Sequence, residues 1–365
     1  MELNRIVNLL LFCSFLTAFT GCGDSGSPQA VEEPRDPMAY LSLSITAVDA
    51  APGVGSRADD YGFEPPEYDN EKISTMRFII VDKDGKVEHN ISISQNPDIM
   101  TAKRLFKVKP NETKQVYLFA NEASIPEDVI NVFRNLEKGN PFPVDTYGSY
   151  TLSRTSDEPL FTADQLIPMT EVHEVEIGAP KYDANGDPDP YKATLFVTRA
   201  AVKLSFSLNV TDSYIKFDPS ALSTVTFNEV GDVEYLFPCN TTYEPPKAPD
   251  ATDRIITAYS VPANAATHSW SLSWSPVGDS NRSFSAGPVY MPETKYRNGA
   301  EPYTITLPVN GVVLSAPLPN LPSLPRNTHV RVNINLYGAS MTCEVTVVPY
   351  TGIYLDPDFG IGDRE

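Results

Sequence analysis

From Tyr40 onward the chain alternates apolar and polar residues, and a period of two commits it to strands. In Tyr40-Leu-Ser-Leu-Ser-Ile-Thr-Ala-Val48, Leu41, Leu43, Ile45 and Ala47 share one face and Ser42, Ser44 and Thr46 the other, as in a half-buried strand. The same reading predicts strands over Met76–Asp82, Lys86–Ser94, Gln115–Ala120 and Val172–Ile177. Further on it predicts Ala193–Val210, Thr224–Val230, Arg254–Val261, Ser269–Ser275, Tyr303–Val309, His329–Tyr337 and Thr342–Val348. Asp84-Gly85 lies between two such runs as a tight hairpin turn. The 33 prolines and 20 glycines punctuate the chain too often for long helices. One helix is expected. Ser124-Ile-Pro-Glu127 starts it as a capping box, Val129, Val132, Phe133 and Leu136 recur at helical spacing, and Gly139 closes it.

A chain of 365 residues has room for two domains of ordinary size. The turn-rich, acidic stretch Tyr182-Asp-Ala-Asn-Gly-Asp-Pro-Asp-Pro190 is the best boundary and divides it into 38–185 and 190–365. Short strands at sandwich-like spacing on both sides make the expected fold all-β: two tandem β-sandwich domains with one short crossover helix. The formal net charge is −19, of which residues 1–57, with three basic and six acidic groups, carry −3. A surface that acidic repels phosphate backbones, so no nucleic-acid partner is expected.

The N-terminus places Arg5 before the short apolar run Ile6–Phe19 and then Thr20-Gly21-Cys22. A basic residue, a brief hydrophobic stretch and small residues mark residues 1–21 as a signal peptide, too short for a stable span. Cys22 directly after it resembles a bacterial lipobox, which implies diacylation of its thiol and cleavage before it. Residues 22–37 then read as a polar, proline-containing tether from the membrane.

Little else carries chemistry. His89, His173, His268 and His329 stand apart in sequence, and His173-Glu174-Val-Glu-Ile lacks the second histidine of a zincin helix. There is no Gly-x-Ser-x-Gly elbow, so no catalytic residue, cofactor or metal ligand is assigned. Asp183, Asn185, Asp187 and Asp189 alternate as in a calcium loop. However, Gly186 stands fourth instead of sixth and Thr194 replaces the bidentate glutamate, so a solvated turn is expected. Trp270 and Trp274, four apart in one expected strand, share a face and read as core in preference to a sugar platform. Cys239 and Cys343 form either one bridge or two buried thiols.

Several stretches together resemble the fimbrillin family of the Bacteroidales, the subunits of type V pili. They are the lipobox Cys22, the strand Ala39–Ala47 ahead of Gly55-Ser-Arg57-Ala58, the opening run Glu71–Gly85, Pro168-Met169, Arg199-Ala-Ala-Val-Lys203, Tyr290-Met-Pro-Glu293, Leu324–Ile334 and Val345–Tyr350. Their order, more than any one of them, carries the likeness, which spans the whole chain. The resemblance implies transthyretin-like sandwiches and a subunit in the outer membrane and then the extracellular fimbrium. It implies an Arg-specific protease cutting between Arg57 and Ala58, and copies of the chain and related fimbrial subunits as partners. Arg57 lies in a Pro/Gly/Ser loop, where an accessible cut would fall. Loss of residues 40–48, read as a detachable edge, would strip about four apolar side chains and unpair a row of backbone groups, inviting a strand from another molecule. The expected donor is the segment from Thr342 with the tail Tyr354–Ile361. An anchor or tip subunit, or a monomeric surface lipoprotein binding glycan or host protein, is the alternative.

Overall fold

The computed structural model describes residues 38–47, 67–94, 104–153, 160–162, 164–212, 214–215, 217–219, 223–230, 233–238, 243–244, 255–256, 266–279, 282–295, 304–309, 312–317, 323–324, 326–337 and 340–349. Among the described residues the fold is all-β with one short α-helix.

The first half supplies β1 (Ala39–Ala47), β2 (Thr75–Val81), β3 (Val87–Ser94), β4 (Arg104–Val108), β5 (Glu112–Ala120), β6 (Thr151–Ser153), β7 (Met169–Ile177) and β8 (Tyr191–Arg199). Seven of these form one sheet ordered β3-β2-β5-β7-β8-β1-β4. The sheet curls until its end strands meet. His89 Nε2 on β3 bonds the Lys107 carbonyl on β4 at 2.7 Å, and the Lys109 N–H donates to the Glu88 carboxylate at 3.1 Å. Leu41, Leu43, Phe78, Ile80, Phe106 and Leu118 fill the enclosed face.

The outer face of β2 and β5 is covered too. Ile79, Val81, Tyr117 and Phe119 pack with Ile130 and Phe133 of α1 (Glu127–Arg134). Burial on both faces explains why β2 is buried continuously from Met76 to Val81 instead of alternating. Arg77, the one cation in that run, is held by Glu122 at 2.6 Å and Asn90 at 2.8 Å.

The helix is shorter than expected, and its start is displaced. Ser124 ends a 3-10 turn, Glu122–Ser124, and Pro126 occupies the N-cap. The cause is Asn121, fully buried with φ 57°. Its side chain accepts the Ser74 N–H at 2.8 Å and donates to the Lys72 and Ile167 carbonyls, both at 2.8 Å. The turn is thereby fixed before the helix can begin. Replacing Asn121 with Ala should strand those three backbone groups and add left-handed strain, a loss of about 1–3 kcal/mol or somewhat more. Urea unfolding reads this as a lower midpoint at unchanged slope.

The second half supplies β9 (Val202–Val210), β10 (Ser223–Val230), β11 (Val233–Tyr235), β12 (Tyr243–Glu244), β13 (Ile255–Ile256), β14 (Ala266–Leu272), β15 (Trp274–Pro276) and β16 (Ser283–Met291). They are followed by β17 (Thr294–Lys295), β18 (Thr304–Val309), β19 (Val312–Pro317), β20 (Ser323–Leu324), β21 (Thr328–Tyr337) and β22 (Ser340–Pro349). A five-stranded sheet, β15-β16-β9-β21-β22, and a four-stranded one, β14-β10-β18-β19, share a core that includes Leu204, Phe206, Trp270, Ile305 and Val332.

Three sequence expectations change here. The run Ala193–Val210 is two strands: the chain breaks at Ala200-Ala201, where the Ala200 N–H bonds the Pro168 carbonyl at 3.0 Å, and passes from the first sheet into the second. The turn-rich stretch 182–190 joins β7 to β8, two strands of the same sheet. The run Ser269–Ser275 divides at Ser273, so Trp270 and Trp274 stand in different sheets and point into one core.

Candidate assembly site

β1 is not an edge. It runs parallel to β8, from Leu41 beside Tyr191 to Ala47 beside Val197, and antiparallel to β4, from Ala39 beside Val108 to Leu43 beside Arg104. The expectation of a detachable edge strand is corrected accordingly: β1 is an interior strand, and its loss would unpair backbone groups on two neighbours instead of one. Ala39, Leu41 and Leu43 are at most 1% exposed. The alternation forecast for this segment is therefore met on its inner face where side chains are described.

The residues named for processing lie outside the described residues: Cys22, Arg57 and Ala58, with Cys239 and the tail 350–365. The donor expectation needs correction in part. β22 pairs with β21 of its own chain along its whole length, from Ser340 beside Tyr337 to Pro349 beside Thr328. Thr342–Pro349 is thus already engaged with a strand of its own chain.

The motifs scattered through the sequence meet at one buried polar junction between the first sheet and the second. The Glu71 carboxylate, fully buried, accepts the Tyr290 hydroxyl at 2.7 Å and the Glu67 N–H at 2.9 Å, and pairs with Lys203 Nζ at 2.9 Å. Arg199 donates to the Glu71 carbonyl at 3.1 Å and to the Asn327 side chain at 3.3 Å. Beside them Arg326, 1% exposed, donates to the Tyr235 carbonyl at 2.6 Å and pairs with Glu234. Its Nε lies 3.8 Å from Glu293, whose carboxylate accepts the Arg326 N–H at 2.8 Å.

Electrostatics at the junction follow from burial. Removal from water raises the Glu234 carboxyl to about 7, Glu293 adding to this and Arg326 opposing it. Burial, then Lys203, lowers His329 to about 4, so it is neutral. Its Nε2 lies 2.8 Å from the Ser205 hydroxyl, a pairing that follows from the adjacency of β9 and β21. Sequence reasoning missed the closeness of these groups because the partners are far apart in the chain, Lys203 and Glu67 by 136 positions.

Other candidates are structural. Asp82, Glu88 and Glu112 bring their carboxylates together, but Lys114, fully buried, pairs with Glu112 and with Glu88 at 2.7 Å. Lys109 reaches Asp82 at 2.6 Å, so ammonium groups already supply the cations. In the loop 182–190 the Asp183 carboxylate accepts the Asn185 and Asp187 N–H groups at 2.9 and 2.8 Å, as a self-bonded turn. Trp270 and Trp274 are 3% and 6% exposed and offer no platform. Cys343 is a free thiol, pushed up to about 11 by burial.

Neither a family model nor a curated protein matches the chain. Solved structures do. The tip fimbrial protein Mfa3 from Porphyromonas gingivalis, truncated at its C-terminus, superposes with a TM-score of 0.54 at 13% identity, covering 86% of this chain and 100% of that one. A candidate cell adhesion protein from Parabacteroides distasonis superposes with a TM-score of 0.51 at 12% identity, covering 87% and 98%. The chain has the fold of these fimbrial and adhesion proteins. That fold matches the all-β architecture expected from the strand pattern, and such low identity carries the likeness no further than architecture.

Proposed function

We propose that the chain is a structural subunit of a cell-surface fimbria. In this reading it is exported as a lipoprotein through Cys22, cut by an Arg-specific protease between Arg57 and Ala58, and polymerised by strand exchange. The observation that carries the reading is the placement of β1. An apolar strand inserted between β8 and β4 is followed by a segment bearing a single arginine before Arg77. Cutting there frees β1 covalently from the body while leaving its slot flanked by ladder groups on both sides. Two sandwich modules are proposed, dividing at Ala200-Ala201. A monomeric glycan binder has lost the aromatic platform it needed, since both tryptophans are buried.

The test is digestion of the folded full-length chain with an Arg-specific protease. A new N-terminus at Ala58 and ladders resistant to SDS are expected, and Arg57→Ala should give neither. A chain cut at Arg57 that stays monomeric would overturn the proposal. Labelling one site per fibre, instead of labels along the shaft, would mark a tip subunit.

A further inference from the structure

The chain as a whole is acidic, yet the strand in the slot is framed by cations. Lys107 on β4 stands beside Tyr40, and Lys192 on β8 beside Ser42. Tyr40 and Ser42 are two apart in β1, so all four side chains share the outer face. Both lysines are exposed, and among the described residues neither forms an ion pair. Lys109, Lys114 and Lys203, by contrast, are all paired. β1 itself has no charged residue between Ala39 and Ala47. Glu174 and Glu176 stand on β7, one strand beyond β8, and form no ion pair with Lys192. The resident strand therefore leaves both ammonium groups unmatched.

One segment of the chain fits that frame. In Tyr354-Leu-Asp-Pro-Asp-Phe-Gly-Ile361, Leu355, Phe359 and Ile361 fall on one face of an extended chain and Asp356 and Asp358 on the other. Residues 350–365 hold four acids and one arginine, a net of −3. Pro357 forfeits a single ladder bond. We propose that Lys107 and Lys192 form a cationic frame that selects an incoming strand with acids on its outer face, and that this strand is the 354–361 segment of a second copy. The inference rests on the strand-exchange reading and deepens it by naming what the slot discriminates. Apolar pockets alone would accept β1 and the tail alike, whereas the frame favours the tail and steers it before contact.

The test uses full-length chains cut by the Arg-specific protease, with ladder formation followed over time at low and high salt. The wild type should slow with rising salt. The exposed double variant Lys107→Glu/Lys192→Glu should melt like the wild type and assemble about tenfold more slowly at low salt, the lower end of electrostatic steering. Adding Asp356→Lys/Asp358→Lys to that variant should restore the rate. If the double variant assembles at the wild-type rate and salt has no effect, the frame is refuted while strand exchange stands. If a chain lacking 350–365 assembles normally, the occupant is wrong. If the cut wild type forms no ladder at all, the exchange reading itself falls, and this inference with it.

Discussion

Replacing Leu41 and Leu43 together with alanine should leave the uncut chain unable to hold its first sheet closed. Both side chains are fully buried in the enclosed core, beside Phe106 and Arg104 of β4 on one flank and Tyr191 and Ala193 of β8 on the other. A buried leucine truncated to alanine costs about 2–5 kcal/mol. The pair, being neighbours, need not add fully, but a loss on the order of 4–10 kcal/mol approaches the whole stability of a domain. Far-UV and near-UV circular dichroism in urea should show the native transition shifted strongly or lost. A shift worth less than about 1 kcal/mol would mean that β1 contributes little to the sheet, and the strand-exchange reading would lose its driving force. β4 should suffer most, because among the described residues it pairs with β1 alone and meets β3 through side-chain hydrogen bonds.

Much of this architecture was legible as periodicity. β1, β5, β10, β18, β21 and β22 fall within a few residues of the alternating runs that predicted them. The failures have physical causes. β16 was missed because Gly287-Pro288 reads as a turn, whereas the strand carries the pair in a bulge between Ala286 and Val289. β4 was missed because five residues are too few for a period to stand out. The Ala193–Val210 run and the Ser269–Ser275 run were each read as one strand because alternation continues through a break, and period two does not record which sheet a strand has joined. The interior position of β1 was illegible for the same reason: the sequence shows which face is apolar but not how many neighbours flank the backbone. At the junction, Arg199, Lys203, Tyr290, Glu293 and Arg326 all belong to the sequence motifs that carry the resemblance. That they touch one another through Glu71, Glu234 and Asn327 is long-range geometry, which no local spacing carries.

Arg326→Met should cost on the order of 3–5 kcal/mol near pH 8, the usual penalty for removing one partner of a buried ion pair. The guanidinium is what makes two buried carboxylates tolerable. Without it Glu234 and Glu293 face each other and the Tyr235 carbonyl loses the Arg326 N–H. The pH dependence separates this account from a simple packing loss. Glu234 is raised from 4.5 to about 7 in the folded chain, so the folded state holds the proton more tightly than the unfolded one. Its contribution to stability is fully present below pH 4.5 and is lost as pH rises through about 7. Removing the arginine takes away the cation that opposes that shift and leaves the Glu293 backbone N–H to oppose it, so the variant should fall further behind the wild type as pH rises from 5 to 8 and recover part of the difference at pH 5. Adding Glu234→Gln and Glu293→Gln should restore much of the loss at pH 8, because no charge then remains buried. Urea midpoints at the two pH values decide the matter. An equal deficit at both, unrelieved by the two glutamines, would mean that Arg326 acts through its bulk and that the junction is held by shape instead of charge.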